Sequence, residues 1–324
     1  MNLPAGKLLQ NEYRTRLNRA IDYIHNHYHE NLNLTQLARI ACFSKFHFHR
    51  LFHAMVGETL NDFIQRIRLE RSVPKLTGYP SKSITEIALE CGFSCSQNYA
   101  KAFKARYGVT PTDVRKEFNW DEMKVKMMNL RLKKVNDLNP AEAFLYRTYQ
   151  DKRNLSLDKI LDQKQAMQVT IAKVPDLRVA YIRQGPFTQD STDSAFEQLM
   201  QWAESRELIN KNTVFLSVMW YLPSITPTGK LIRDDCMTVS QTVKPDKWVN
   251  IQTVPGGKFA INRCEVEPAR IRETWASFAM QFLLSGDYQL ADRPFCQIWH
   301  NHSESKSPGH RVLDLYLPIK SLYE

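Results

Sequence analysis

Two stretches decide how the first half of the chain is read: LTQLARIACF at 34–43 and ITEIALECGF at 84–93. Thr, Ala and Phe recur at an offset of 50, with Leu matched to Ile. After one inserted residue, HFHRLFHAMVG at 47–57 aligns with NYAKAFKARYG at 98–108, pairing Arg50 with Lys101, Phe52 with Phe103 and Gly57 with Gly108. The segment is one unit used twice. Each copy carries start signals for two helices. Asn33 with Gln36, and Ser83 with Glu86, place a capping side chain three residues ahead of a reciprocal partner, which satisfies otherwise orphaned amides. Ser44 and Ser94 are expected to cap the second helix of each copy in the same way. Between the helices lies a tight turn holding Gly92 in one copy, where a left-handed backbone is cheap, and Cys42 in the other.

Outward from the repeat, Leu17, Ala20, Ile21, Ile24 and Tyr28 fall at helical spacing and predict a leading helix packed on the first unit. Leu60 to Leu76 reads as a connecting helix whose last turn Pro74 should distort. Tyr13 to Phe118 is thus expected to form one all-helical module of two helix-turn-helix units. Charge agrees with a polyanionic partner. Residues 1–120 hold 17 Lys and Arg against 10 Asp and Glu, whereas the remainder holds 27 against 24, so the net +10 is concentrated at the N-terminal end.

The six cysteines, Cys42, Cys91, Cys95, Cys236, Cys264 and Cys296, show no metal or redox spacing. No signal-peptide core or membrane span is read, and a cytoplasmic protein without a cofactor is expected. Residues 119–165 form a charged, helix-favouring stretch, either a partly helical linker or a dimerisation element.

A second repeat follows. IAKVPDLRVAYIR at 171–183 matches IQTVPGGKFAINR at 251–263 at an offset of 80. Each copy reads as strand, proline turn, strand, then helix (Ser194 to Arg206; Glu267 to Leu284), then further strands: FLSVMWY and CMTVSQTV, or FCQIW and VLDLYLPI. An α+β domain built by duplication is expected, with a ligand in the crease between its halves.

A recognition helix enters the major groove with its N-terminal residues leading. The candidates are Phe46, His49 and Arg50 in the first copy, and Ser96, Gln97, Asn98 and Lys101 in the second. Arg50 and Lys101 suit guanine, Gln97 and Asn98 suit adenine, and Phe46 can cover a thymine methyl, unless it is a core residue. His49 and His53 share a helix face, but no acidic or thiolate partner stands at matching spacing, so no metal site is expected.

On RIRLERS at 66–72, SITEIALECGFSCSQNYAKAFKARYGVTP at 83–111 and the trailing Asp113 to Arg115, residues 1–118 resemble the DNA-binding domain of AraC/XylS-family transcription activators. The resemblance implies two recognition helices reading major-groove segments about 34 Å apart on double-stranded promoter DNA, with RNA polymerase as a partner. On VPDLRVAYIRQGPF, FEQLMQWA, VPGGKFAI and LDLYLPI, residues 166–324 are similar to GyrI-like effector-binding domains. In that family an acidic residue two positions before a tyrosine faces the cleft, where it pairs with cationic ligands or assists hydrolysis in some members. Gln297 and Trp299 stand there in this chain. Strand alternation puts both on one face with Phe295, so the resemblance implies a neutral, aromatic-lined pocket of Gln297, Trp299, Trp220 and Tyr181 for a neutral aromatic effector. A ligand-responsive activator is the reading. A GyrI-like hydrolase or sequestering protein tethered to DNA, and a purely architectural DNA-binding protein, are the alternatives; the missing acid removes the hydrolase's obvious general base.

Overall fold

In a computed structural model of the chain, the structure describes residues 5–79, 81–117, 169–185, 192–220, 226, 230–283, 288–300 and 309–321. The stretch 119–165 lies outside the described residues.

Seven helices open the chain among the described residues: α1 (Ala5–His27), α2 (Leu34–Ile40), α3 (Lys45–Val56), α4 (Leu60–Gly78), α5 (Ile84–Glu90), α6 (Ser96–Tyr107) and α7 (Pro111–Glu117). The repeat produces α2–α3 and α5–α6. Asn33 caps α2, Ser44 caps α3, and Ser83 with Glu86 forms a full capping box on α5. One cap differs from expectation. Cys95, not Ser94, is the N-cap of α6 and makes no side-chain cap bond, because Ser94 Oγ instead accepts the Asn98 amide at 2.9 Å. Both turns use a left-handed residue, Gly92 at φ 82° and Cys42 at φ 55°. A Cβ at position 92 would also lie 2.8 Å from the His29 carbonyl, so that turn needs glycine twice over. The leading-helix residues Leu17, Ala20, Ile21 and Ile24 are buried as their spacing requires. α4 continues through Pro74 to Gly78.

The second region alternates as its own repeat predicts: β1 (Val169–Val174), β2 (Leu177–Gln184), α8 (Thr192–Glu204), β3 (Phe215–Met219) and β4 (Arg233–Thr238), then β5 (Asn250–Val254), β6 (Gly257–Val266), a 3-10 turn (Pro268–Arg270), α9 (Ile271–Leu283), β7 (Tyr288–Leu290), β8 (Phe295–Trp299) and β9 (Arg311–Ser321). The sheet is antiparallel, in the order β1-β6-β9-β8-β3-β4-β2-β5, with β7 paired to β9. That order reads the same from either end when β1, β2, β3 and β4 are exchanged with β5, β6, β8 and β9. The unanticipated element is β7, only three residues long.

The sheet is a middle layer. On one face α8 packs on Ala180 and Met237 through Leu199 and Trp202, while α9 packs on Leu313 and Leu315 through Phe278. On the other face Val179, Leu216, Val218 and Cys236 merge with Ile21, Ile24, Phe52 and Phe63 into one continuous core. The helical module is therefore docked on the sheet by apolar burial, the dominant favourable contribution in such an interface.

Candidate nucleic-acid interface and effector cleft

In α3 the aromatic residues Phe48 and Phe52 are fully buried, and in α6 Tyr99 and Phe103 occupy the equivalent places. These anchors fix the rotation of each helix about its axis. What remains outward is His49 and Arg50 on α3, and Gln97, Asn98 and Lys101 on α6, all exposed, with Ser96 half-buried. Phe46 is 82% exposed, so core packing does not account for it. Beside α6 an open groove of about 950 Å³ has Asn98 and Lys101 on one wall and Gln65 and Arg68 of α4 on the other. Arg68 is held there by its bonds to the Tyr28 and Glu30 carbonyls, both at 2.7 Å. Among the described residues, no group of three or more His, Cys, Asp or Glu side chains is drawn together as a metal site.

The four residues expected in the effector cleft divide between the two faces of the sheet. Gln297 and Trp299 lie under the helices. The Gln297 carbonyl accepts Trp275 Nε1 of α9 at 3.0 Å, and Trp299 Nε1 donates to Ser217 Oγ at 3.0 Å. The Trp299 ring meets Phe196 of α8 edge-on, with centroids 6.0 Å apart, so the two residues stand at the seam between the halves. Ser217 is the direct cross-strand partner of Gln297, and Asp235 that of Ser217. Ser217 donates to Asp235 at 2.7 Å, and Arg233 closes on the same carboxylate at 3.0 and 3.1 Å.

Sequence reasoning missed this acid. The expected strand CMTVSQTV begins at Cys236, whereas β4 begins at Arg233 and so includes the acid. The available signal was strand alternation carried back from Met237, which puts Asp235 on the helix-covered face. Burial pushes its carboxyl above the usual range, with Arg233 partly offsetting the effect.

Tyr181 and Trp220 require correction. Both lie on the opposite face, beneath α1, and neither reaches the cleft. The Tyr181 hydroxyl donates to Asp22 of α1. Trp220 stacks on His25 of α1 with centroids 5.4 Å apart, and its Nε1 donates to Asp234 at 2.8 Å. Arg183 completes the cluster, bonding Asp234 at 2.6 and 2.7 Å and Asp22 at 2.7 Å. Alternation placed these aromatics on a face, but which partner covers that face depends on docking. Burial, together with the guanidinium groups of Arg71, Arg183 and Arg66, holds the His25 imidazole well below its usual range, so this ring is neutral where it stacks.

Residues 37–117 match a family model described as a helix-turn-helix domain, and residues 167–320 match the GyrI-like small molecule binding domain. An uncharacterized HTH-type transcriptional regulator of Staphylococcus aureus is 34% identical over 100 residues, which is 31% of this chain and 13% of that protein. The uncharacterized HTH-type transcriptional regulator YbfP of Bacillus subtilis is 31% identical over 99 residues, 31% of this chain and 33% of that protein. The chain thus spans between about an eighth and a third of the length of these relatives. Among solved structures, a transcriptional regulator from Chromobacterium violaceum with an AraC-type DNA-binding domain aligns at TM-score 0.30 and 26% identity, over 32% of this chain and 92% of that one. The EcmrR C-terminal domain aligns at TM-score 0.38 and 11% identity, over 48% of this chain and 98% of that one.

Proposed function

We propose, from a chain in which an AraC-type helix-turn-helix domain precedes a GyrI-like small-molecule-binding domain, that the protein is a transcription regulator whose binding to promoter DNA responds to a small molecule. The observation that carries this reading is the matched exposure of two recognition helices, with Arg50 and Lys101 at equivalent positions of the repeat. Such a pair reads two major-groove segments at once, while cationic side chains around it contact phosphates.

The effector is an aromatic molecule without an unpaired positive charge. Gln297 brings no charge, and that of Asp235 is already compensated by Arg233. A bare cation entering here would have to compete with Arg233 for Asp235 and give up its own hydration in a buried site. Ser217 and Gln297 are 2% and 5% exposed, so a ligand enters by parting the aromatic cover of Trp275, Trp299 and Phe196. A hydrolytic role finds no support in this chemistry: the buried acid is engaged by Ser217 and Arg233, and the family's cleft acid is replaced by an amide. Activation through RNA polymerase and a cytoplasmic location complete the reading; among the described residues no helix is long and apolar enough to cross a membrane.

Selection of bound fragments from genomic DNA, followed by footprinting, tests this function. Two protected segments about one helical turn apart are expected. Arg50→Ala and Lys101→Ala should each cost about 1 to 3 kcal/mol on the selected site and much less on random DNA. Equal losses on both would reduce these residues to phosphate contacts, and no enrichment of any sequence would overturn the regulator reading.

A further inference from the structure

The β3–β4 hairpin touches three things at once. On the helix-covered face it presents Ser217 and Asp235, hydrogen-bonded to each other beside Gln297. On the opposite face the adjacent residue Asp234 and the strand-end residue Trp220 engage Arg183 and His25 beneath α1. Between the strands, Thr226 and Lys230 contact the helical module. Lys230 donates to the carbonyls of Val56 and Gly57, both at 3.1 Å, at the C-terminal end of α3. Thr226 donates to Glu70 of α4 at 2.9 Å.

Those two contacts clip onto one run of alternating charge, one at its Lys230 end and the other at Glu70. Lys230 lies 3.8 Å from Glu58, Glu58 pairs with Arg66 at 2.7 Å, Arg66 with Glu70 at 3.4 Å, and Glu70 with Arg106 of α6 at 3.0 Å. Arg66 and Glu70 are 3% and 5% exposed, so these interactions are poorly screened. The run begins at the end of one recognition helix and finishes on the other. Its Lys230 end, and Glu70 beside its Arg106 end, are held by bonds that residues between β3 and β4 make.

We propose that the β3–β4 hairpin is the coupling element of the molecule: a change at Ser217 and Asp235 in the cleft alters, through Thr226 and Lys230, how firmly α3 and α6 are held relative to each other. The inference rests on the regulator reading for its purpose, but the coupling is a property of the folded chain alone. Coupling of this kind needs an element whose arrangement both sites bias. The hairpin meets that requirement because its two strands carry the cleft residues on one face and the docking residues on the other. Lys230 adds a positive charge at the negative end of α3, where carbonyl groups lack intrahelical partners, so its displacement loosens that last turn directly.

Two measurements on the full chain test the proposal. In the first, hydrogen exchange is followed in peptides covering 50–58 and 103–108 without DNA. Asp235→Asn, or Ser217→Ala should the first variant fold poorly, is expected to speed exchange in both peptides at least threefold. In a Thr226→Val, Lys230→Met background the same cleft substitution should produce no further change there. In the second, affinity is measured on the selected DNA site and on versions with one base pair added or removed between the half-sites. The wild type should discriminate by tenfold or more, and the Thr226→Val, Lys230→Met variant by threefold or less, with affinity on the original spacing held within about threefold. Exchange changes confined to the sheet, or reaching α3 and α6 equally without Thr226 and Lys230, would overturn the coupling. Failure of the wild type to select any sequence would instead refute the regulator reading, with the exchange experiment still deciding on the hairpin.

Discussion

Asp234 and Asp235 are neighbours on β4, yet they belong to different environments on the two faces of the sheet. Asp234 faces α1 and has a crowded set of donors: Arg183 twice, Trp220 and Gln252. Arg183 is shared with Asp22 of the helical module, and its side chain is fully buried. Asp235 faces the cleft and relies on Ser217 and on Arg233, whose side chain is 33% exposed. One face has an acid closed in by an interdomain ion cluster; the other has an acid whose counter-charge stands partly in water. The first arrangement suits a permanent joint, and the second suits a site that a ligand can rearrange.

The sharpest way to break this contrast is to remove the shared cation. Arg183→Met leaves Asp22 and Asp234 facing each other in a buried interface, and loss of one partner of a buried charge pair typically costs about 3 to 5 kcal/mol. Chemical denaturation should show a loss of that size, with α1 separating from the sheet. A loss below about 1 kcal/mol would mean that water already reaches the cluster, and the two faces would no longer differ in kind.

A smaller effect is expected from the cleft side. Gln297→Glu adds an uncompensated charge to the row that already contains Ser217 and Asp235. Benzyltrimethylammonium should then bind more tightly because the new carboxylate pairs with its charge, with ring contacts such as Trp299 contributing about 0.5 to 2 kcal/mol of cation–π attraction in both proteins, whereas its uncharged isostere neopentylbenzene should not gain. Wild type should favour the neutral compound. Titration of tryptophan fluorescence in the full chain reads both, since Trp275 and Trp299 flank the substituted residue. Preference of the wild type for the cation, unchanged by the substitution, would make Asp235 rather than Gln297 the residue that sets ligand charge.

This asymmetry also marks where reading the sequence stopped. Helical spacing identified the buried stripe of α1, and the capping residues Asn33, Ser44 and Ser83 marked helix starts, because those signals are local. Ser94 misled because a nearer competitor, Asn98, takes its hydroxyl, a choice that depends on side-chain geometry rather than spacing. FCQIW was delimited correctly at 295–299, and alternation placed Gln297 and Trp299 together. Tyr181 and Trp220 were assigned to the cleft because alternation gives a residue's face and not the neighbour covering it; the module carrying Asp22 and His25 lies more than 150 residues away in sequence. The adjacent acids of RDDCMT precede the expected strand CMTVSQTV, and acidic residues are poor strand formers. Their burial becomes intelligible only with Arg183 and Arg233 in place on opposite faces.

The finest test of the contrast is the pH dependence of Asp235. Burial raises its carboxyl above 3.8, and Arg233 and the Ser217 hydroxyl only partly offset that. A carboxyl whose folded-state pKa is raised binds its proton more tightly in the folded chain than in the unfolded one. Its contribution to stability is therefore most favourable below 3.8 and declines as pH climbs from there through the raised value, the reverse of a salt-bridged carboxyl whose pKa is depressed. Asp235→Asn removes the titration while keeping the size of the side chain and a hydrogen bond with Ser217. The stability of the wild type relative to Asp235→Asn should accordingly fall as pH rises across that window and level off above it, which thermal unfolding of the two proteins side by side will show. A flat difference would mean that solvent entering past the half-exposed Arg233 keeps the carboxyl near its ordinary value. The cleft face would then be more open than its burial indicates, and Asp235 would be available to a ligand without displacement of its partner.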